Sequence, residues 1–153
     1  MSATLTDILR NPMRDKLARG EVVSSITVRL VRNIEIARIA ASAGFDSLYV
    51  DLEHNSFSID ACGQICMAAA AIGITPMVRV PANTPEWISR VLDAGAWGVI
   101  APHIRSADEA RAVVAAAKFP PLGERSANSG LPHCNTAASP PPRRTKSSTP
   151  PPS

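Results

Sequence analysis

Two carboxylates and an imidazole lie within four residues near the middle of the chain. Asp51, Glu53 and His54 directly follow an apolar run that ends at Val50. An imidazole flanked by carboxylates is a common arrangement for a general base, because the carboxylate orients the ring and supports its protonated form. Arg79, inside another apolar run, could stabilise a developing oxyanion beside that base. The combination indicates proton abstraction next to a carbonyl group.

Each of these residues also has a purely structural interpretation. Asp51 and Arg79 could form an ion pair between neighbouring strand ends, since a charge at the end of a buried strand needs a partner. His54 could be a loop histidine that faces solvent. A further polar strand end is Ala101-Pro102-His103. The residue types alone leave both interpretations open.

Four apolar runs alternate with four amphipathic helical patterns, and these elements must position the polar residues. The predicted strands cover residues 25–30, 46–51, 75–80 and 97–101. Three of the helical patterns end at Gly44, Gly73 and Gly95. Strands that alternate with helices predict a parallel sheet with right-handed crossovers. The binding site of such a sheet lies at the carboxyl ends of its strands, where the polar residues cluster.

Two helix starts have recognisable capping signals. Thr84 precedes Pro85 and predicts an N-cap with proline at the first helical position. Ser106 and Glu109 have the spacing of a capping box, in which each side chain bonds the other residue's backbone N–H.

Two architectures fit the alternation, an open doubly wound sheet and a closed (β/α)₈ barrel. The first strand is followed by Leu30-Val31-Arg32-Asn33 and not by a glycine-rich phosphate loop, which weakens the dinucleotide-binding version. A complete barrel usually needs roughly 200 residues or more, whereas the chain has 153. The spacing of the apolar residues does not distinguish the open doubly wound sheet from the closed barrel.

The charge distribution argues against nucleic acid as a partner. All 13 acidic residues and 13 of the 16 basic residues lie within residues 1–125, so the net charge of +3 comes from Arg143, Arg144 and Lys146. No apolar run approaches the roughly 18 residues of a membrane span, and the N-terminus has no apolar signal segment. We therefore expect a cytoplasmic protein with neither nucleic acid nor membrane as partner.

Composition divides the chain into three parts. Residues 1–20 predict a leader helix, residues 21–133 hold the βα units, and residues 134–153 form a proline-rich tail that we expect to be disordered. Cys62 and Cys66 lie on a strongly apolar helical pattern, which favours small core residues over metal ligands.

Ordered motifs at consistent spacing run through residues 20–133. In chain order they are Gly44-Phe45-Asp46-Ser47-Leu48-Tyr49-Val50-Asp51-Leu52-Glu53-His54, Val78-Arg79-Val80-Pro81, Leu92-Asp93-Ala94-Gly95-Ala96, Val99-Ile100-Ala101-Pro102, Ala107-Asp108-Glu109-Ala110-Arg111 and Phe119-Pro120-Pro121-Leu122-Gly123-Glu124-Arg125. These motifs resemble those of the HpcH/HpaI aldolase and citrate lyase family. The resemblance implies the N-terminal half of a (β/α)₈ barrel, about four βα units, in a chain that forms homo-oligomers when complete.

The resemblance also implies an activity, a cofactor and roles for individual residues. Members of this family that are class II aldolases cleave a 4-hydroxy-2-oxo acid reversibly to pyruvate and an aldehyde. A divalent ion, Mg²⁺ or Mn²⁺, holds the carboxylate and keto oxygen of pyruvate and favours its enolate. By resemblance, Arg79 would bind the keto oxygen and stabilise the enolate, and His54 would act as the base through water. Asp51 and Glu53 would orient the site, and Asp93 would be the acidic partner of the histidine.

Two departures from the family pattern bear on that activity. The family's metal ligands are a Glu and an Asp at the ends of strands five and six, which this sequence does not reach. Asp93 ends a helix, at the opposite end of the barrel from His54, so the partnership needs a neighbouring subunit, and a structural role for Asp93 is the alternative.

Two further functions therefore stay open beside the aldolase. One is a catalytically incomplete half-barrel, either an assembly partner or an aberrant gene product. The other is a small α/β binding module whose proline-rich tail is a ligand. A half-barrel would expose apolar strand edges, which predicts self-association of the isolated chain.

Overall fold

A short helix precedes four βα units in the computed structural model, which describes residues 10–127. The elements are α1 Pro12–Ala18, β1 Ser25–Val28, α2 Glu35–Ser42, β2 Ser47–Asp51, α3 Ile59–Ala71, β3 Thr75–Arg79, α4 Pro85–Asp93, β4 Gly98–Ile100 and α5 Ala107–Ala117. The first strand is shorter than its apolar run predicts. Leu30 lies beyond the end of β1 and is 92% exposed, because the chain has already turned towards α2.

The four strands form one parallel sheet in the order β1-β2-β3-β4. Ser25 pairs with Ser47, Ser47 with Thr75, and Met77 with Gly98, so each strand lies beside the strand of the next unit. A doubly wound sheet reverses its strand order at a switch point, and this sheet does not. The order is that of a barrel wall, which decides between the two architectures.

The two faces of the sheet differ in burial. Leu48, Val50 and Val78 alternate along β2 and β3 and are completely buried in the core between the sheet and the helices. The residues between them point to the opposite face, since side chains alternate along a strand. On that face Tyr49 and Met77 are only partly buried. The helices therefore cover one face of the sheet.

Side chains cap the first turns of several helices. The side chains of Asn11, Ser58 and Ser106 each accept a hydrogen bond from a backbone N–H in the first turn that follows. Thr84 occupies the predicted N-cap position, but its side chain makes no capping bond. The predicted N-cap with proline at the first helical position is confirmed, and the fixed φ of Pro85 rather than a side-chain bond favours the helix start.

The capping box of α5 forms in an altered way. Ser106 Oγ accepts from the N–H of Glu109 at 3.2 Å, as predicted. The carboxylate of Glu109 accepts from the N–H of Arg105 at 2.7 Å, one residue before the expected partner. The helix terminus still gains two side-chain bonds.

Some predictions concern residues outside 10–127. α1 is the described part of the leader helix predicted over residues 1–20, and residues 128–133 and the predicted tail at 134–153 are outside the description. Within residues 10–127, no helix has both the length and the apolar character needed to cross a membrane. Cys62 and Cys66 are free thiols buried in the core, and their mutual contact together with burial raises the pKa of Cys66.

Candidate active site

Asp51 and Arg79 form the centre of the polar cluster at the carboxyl ends of the strands. The two residues are register partners on β2 and β3. Arg79 Nη2 lies 2.6 Å from Asp51 Oδ2, and Arg79 Nε donates to Asp51 Oδ1 at 3.0 Å. Paired donors on a planar guanidinium match the two oxygens of a carboxylate, so this contact fixes both side chains. The ion pair that was one interpretation of the sequence is therefore present.

The carboxylate of Asp51 also organises the loop that follows β2. Its Oδ1 accepts hydrogen bonds from the backbone N–H groups of Glu53 at 3.0 Å and His54 at 3.2 Å. The hydrogen bond from Arg79 lowers the pKa of Asp51 to about 2, with help from the two backbone donors and against the opposing effect of burial. Asp51 is thus a buried, ionised anchor that holds the loop carrying Glu53 and His54.

Arg29 is a site residue that the motifs do not single out. Its Nε lies 3.5 Å from Asp51 Oδ2, and its Nη2 donates to the backbone oxygen of His54 at 3.1 Å. Asp51 therefore lies between two guanidinium groups. The signal in the sequence is positional, because Arg29 follows the apolar run of β1 just as Asp51 follows that of β2.

Glu53 connects the remaining polar side chains of the cluster. Its Oε2 lies 3.1 Å from Arg79 Nε and 3.6 Å from His54 Nε2, and its Oε1 lies 2.6 Å from His103 Nε2. The hydrogen-bonded imidazole is thus that of His103, whereas His54 is close to the carboxylate but beyond hydrogen-bonding distance. The His54 side chain is 57% exposed and free to meet a ligand.

His103 reaches Glu53 because of its backbone conformation. Its φ is 56°, in the left-handed region that few non-glycine residues adopt. Such conformations persist where surrounding structure holds them, and they concentrate at functional sites. The sequence places His103 at a strand end but gives no sign of this turn. The contact between His103 and Glu53 was therefore not predictable from the sequence.

Asp93 lies at the other end of the sheet. It is the last residue of α4, and the chain then leads into the start of β4, whereas His54 follows the end of β2. Arg125 donates a short hydrogen bond to its carboxylate, and that guanidinium also lies 4.7 Å from the centre of the Phe119 ring. Within the described chain Asp93 therefore has a structural partner, and its pairing with a histidine stays a prediction.

The described residues do not assemble a complete metal site. No group of three or more His, Cys, Asp or Glu side chains within residues 10–127 is arranged to hold an ion. The carboxylates of Asp51 and Glu53, the natural oxygen ligands here, already accept bonds from arginine. This part of the chain alone does not fit a divalent cation.

Comparison with known proteins identifies the family and the fold of the chain. The family model for HpcH/HpaI aldolase/citrate lyase matches residues 30–136. The chain belongs to this family. The HpcH/HpaI aldolase of Desulfitobacterium hafniense DCB-2 superposes with a TM-score of 0.75 at 35% identity, covering 78% of this chain and 46% of that one. The four βα units are thus half of the (β/α)₈ barrel of HpcH/HpaI proteins.

Two relatives within the HpcH/HpaI family illustrate its range. The 4-hydroxy-4-methyl-2-oxoglutarate aldolase of Chaetomium globosum is 42% identical over 117 residues, which are 76% of this chain and 44% of the relative. The 2-keto-3-deoxy-L-rhamnonate aldolase of Escherichia coli is 33% identical over 124 residues, 81% of this chain and 46% of the relative. The chain spans about half the length of these curated relatives.

Proposed function

We propose that the chain contributes the enolising half of the active site of a carbon–carbon lyase. The reaction is the reversible aldol cleavage of a 4-hydroxy-2-oxo acid to pyruvate and an aldehyde. The observation that carries the proposal is the guanidinium of Arg79, held by Asp51 and Glu53 beside the exposed imidazole of His54. The relatives named above, both aldolases, support the same class of reaction.

Arg79 is suited to bind a 2-oxo acid. Its bonds to Asp51 use Nε and Nη2, which leaves Nη1 available for a ligand oxygen. An oriented cation stabilises negative charge as it develops on a keto oxygen, and it needs no rearrangement during the reaction because the carboxylates already hold it. The ring of Tyr49, 5.6 Å below the guanidinium, supports it on the sheet side.

His54 is suited to move the proton. Exposure of the ring allows contact with a bound acid or an intervening water, and Glu53 Oε2 lies 3.6 Å from its Nε2. Proton removal from the methyl group of pyruvate gives the enolate that attacks the aldehyde. In the cleavage direction the same group returns the proton to carbon.

We also propose that the complete enzyme uses a divalent cation, Mg²⁺ or Mn²⁺. It would form homo-oligomers and be located in the cytoplasm. Within residues 10–127 the side chains do not form a site for that ion. The role of Asp93 as partner of a histidine in another subunit belongs to the same proposal.

Exchange of the methyl protons of pyruvate for deuterium, followed by NMR with and without Mg²⁺ or Mn²⁺, tests this proposal. We expect exchange that falls at least about 100-fold in His54→Ala and in Arg79→Ala, the size typical of a lost general base or oxyanion donor. Arg38→Gln, an exposed charge change on α2, is the matched control and should exchange at the wild-type rate.

A folded sample without exchange, or exchange that both variants retain, would contradict the proposal. The first outcome would favour the catalytically incomplete half-barrel.

A further inference from the structure

Cleavage of a 4-hydroxy-2-oxo acid moves protons at two different atoms of the substrate. The hydroxyl group must lose its proton as the neighbouring carbon–carbon bond breaks. The enolate carbon that this bond leaves behind must then gain a proton. The proposed function gives the proton on carbon to His54, so the proton of the hydroxyl group needs a second acceptor.

Glu53 holds one imidazole beside each of its two oxygens. Its Oε1 lies 2.6 Å from Nε2 of His103, and its Oε2 lies 3.6 Å from Nε2 of His54. The Glu53 side chain is only 10% exposed, and Oε2 also lies 3.1 Å from Nε of Arg79. The carboxylate is therefore fixed, and the two imidazoles lie close to each other. Two bases so arranged suit two reacting atoms that are neighbours in one small molecule.

The contact with Glu53 also decides which nitrogen of His103 can accept a proton. A carboxylate oxygen only accepts hydrogen bonds, so Nε2 of His103 carries the hydrogen and Nδ1 keeps its lone pair. No hydrogen bond or salt bridge within residues 10–127 engages Nδ1. The side chain is 72% exposed. Nδ1 is therefore open to a ligand, while Glu53 on the other nitrogen orients the ring.

The neighbouring loop holds the backbone at His103. Asn83, in the loop after β3, donates a short hydrogen bond from Nδ2 to the carbonyl oxygen of Pro102. That carbonyl belongs to the peptide group directly before His103, and Pro102 itself is buried. The φ of 56° at His103 is a conformation that the surrounding structure must maintain. An exposed imidazole that is held this firmly favours a role in the site over that of a loop histidine facing solvent.

We propose that His103 is the second acid–base residue of the reaction and that Asn83 is its positioning residue. The inference rests on the proposed function and deepens it. In the cleavage direction Nδ1 of His103 takes the hydroxyl proton, and the electron pair of the O–H bond forms the C=O bond of the aldehyde. The pair of the broken carbon–carbon bond passes into the enolate, whose oxygen faces Arg79. His54 then protonates the enolate carbon.

Two assays of the full chain with Mg²⁺ present separate the two proton transfers. The first is exchange of the methyl protons of pyruvate for deuterium, which involves no hydroxyl group. The second is release of pyruvate from 4-hydroxy-2-oxopentanoate. His103→Asn should slow cleavage at least about 100-fold more than it slows exchange, the size typical of a lost general acid–base group. Asparagine suits the position because it adopts the left-handed conformation more readily than most residues.

Three further variants make the test specific. His103→Gly also accepts the positive φ, and added imidazole should restore part of its cleavage activity. Asn83→Ala should slow cleavage more than exchange in the wild-type background but have no further effect in His103→Asn, because a positioning residue acts only through the group it positions. The control is Arg105→Gln, which changes an exposed residue of the same loop whose side chain makes no hydrogen bond or salt bridge within the described chain. It should keep the wild-type ratio of the two rates.

The failures of the two proposals are distinguishable. Absence of exchange in the wild-type chain would contradict the proposed function and the role of His103 with it. Exchange without cleavage, or cleavage that His103→Asn slows no more than exchange, would overturn the role of His103 alone. A rate of His103→Gly that imidazole leaves unchanged would also contradict direct proton transfer. Additive losses in the double variant would overturn the role of Asn83.

Discussion

At the scale of single residues, the candidate site is organised by one buried carboxylate. Asp51 accepts bonds from Arg79 and from two backbone N–H groups, and its side chain is 1% exposed. Burial of an unpaired charge would be costly, and these donors offset that cost. The position of His54 and Glu53 therefore depends on the ionised state of Asp51.

The pH dependence of stability should show this directly. The pKa of Asp51 is lowered from 3.8 to about 2, so the stabilisation from its ionised form is fully present above pH 4 and is lost as the pH falls towards 2. Arg79→Gln removes the largest cause of the shift, and the pKa of Asp51 should rise. Carbon-detected NMR titration of the carboxyl group measures both values. Titration of wild-type Asp51 near pH 4 would contradict this prediction.

The sequence predicts the contact between Asp51 and Arg79 but not the contacts of Arg29 and His103. The adjacency of Asp51 and Arg79 follows from parallel pairing, since residues at the carboxyl ends of neighbouring strands meet at one edge of the sheet. The contacts that Arg29 and His103 make were not predictable from the sequence. Their contacts depend on the side-chain reach of Arg29 and on the left-handed turn at His103, and neither has a periodic pattern.

At the scale of elements, two helix starts with similar capping signals differ in their hydrogen bonding. Ser106 and Thr84 look alike in the sequence, because each is a hydroxyl residue directly before a helical pattern. Ser106 forms its bond to the first turn, whereas Thr84 does not. The pKa of Glu86 is lowered first by a hydrogen bond from its own backbone N–H and then by the hydroxyl of Thr84.

These two positions make a matched pair for a stability measurement. Ser106→Ala should reduce the free energy of unfolding by about 1 kcal/mol, the usual value of a lost N-cap bond. Thr84→Ala removes the same hydroxyl from a position without such a bond and should cost clearly less. Urea denaturation of both variants gives the comparison. Equal losses would show that the bond at Ser106 does not stabilise α5.

At the scale of the whole molecule, the sheet is covered on one face and open at both sides. β1 and β4 are the edges of the described four-stranded sheet, and Tyr49 and Met77 lie partly exposed on the face away from the helices. The number of strands was predictable from the alternating pattern, whereas their order, which separates a barrel wall from a doubly wound sheet, was not. The pattern could not fix the exact ends of β1 and β4, since edge strands have fewer neighbours to define them.

Open edges predict self-association of the isolated chain. Unpaired backbone groups of β1 and β4 can pair with another copy, and partly exposed apolar side chains add to the attraction. Light scattering coupled to size exclusion should show species larger than a monomer that increase with concentration. Thr27→Lys, on the exposed part of β1, should shift the distribution towards monomer, because charged residues protect natural edges.

The control for that variant is Ser42→Lys at the end of α2, which adds the same charge away from the strand edges. A monodisperse monomer of the unmodified chain at all concentrations would contradict the prediction.

The consecutive pairing of the strands also bears on how the chain acquires its structure. Partners are separated by only 21 to 28 positions, as for Met77 with Gly98 and Ser47 with Thr75. Closing loops of that length carries a modest entropic cost, and native contacts of short sequence separation speed folding. The contact between Asp51 and Arg79 needs only neighbouring strands, so the centre of the candidate site can form without the rest of the sheet.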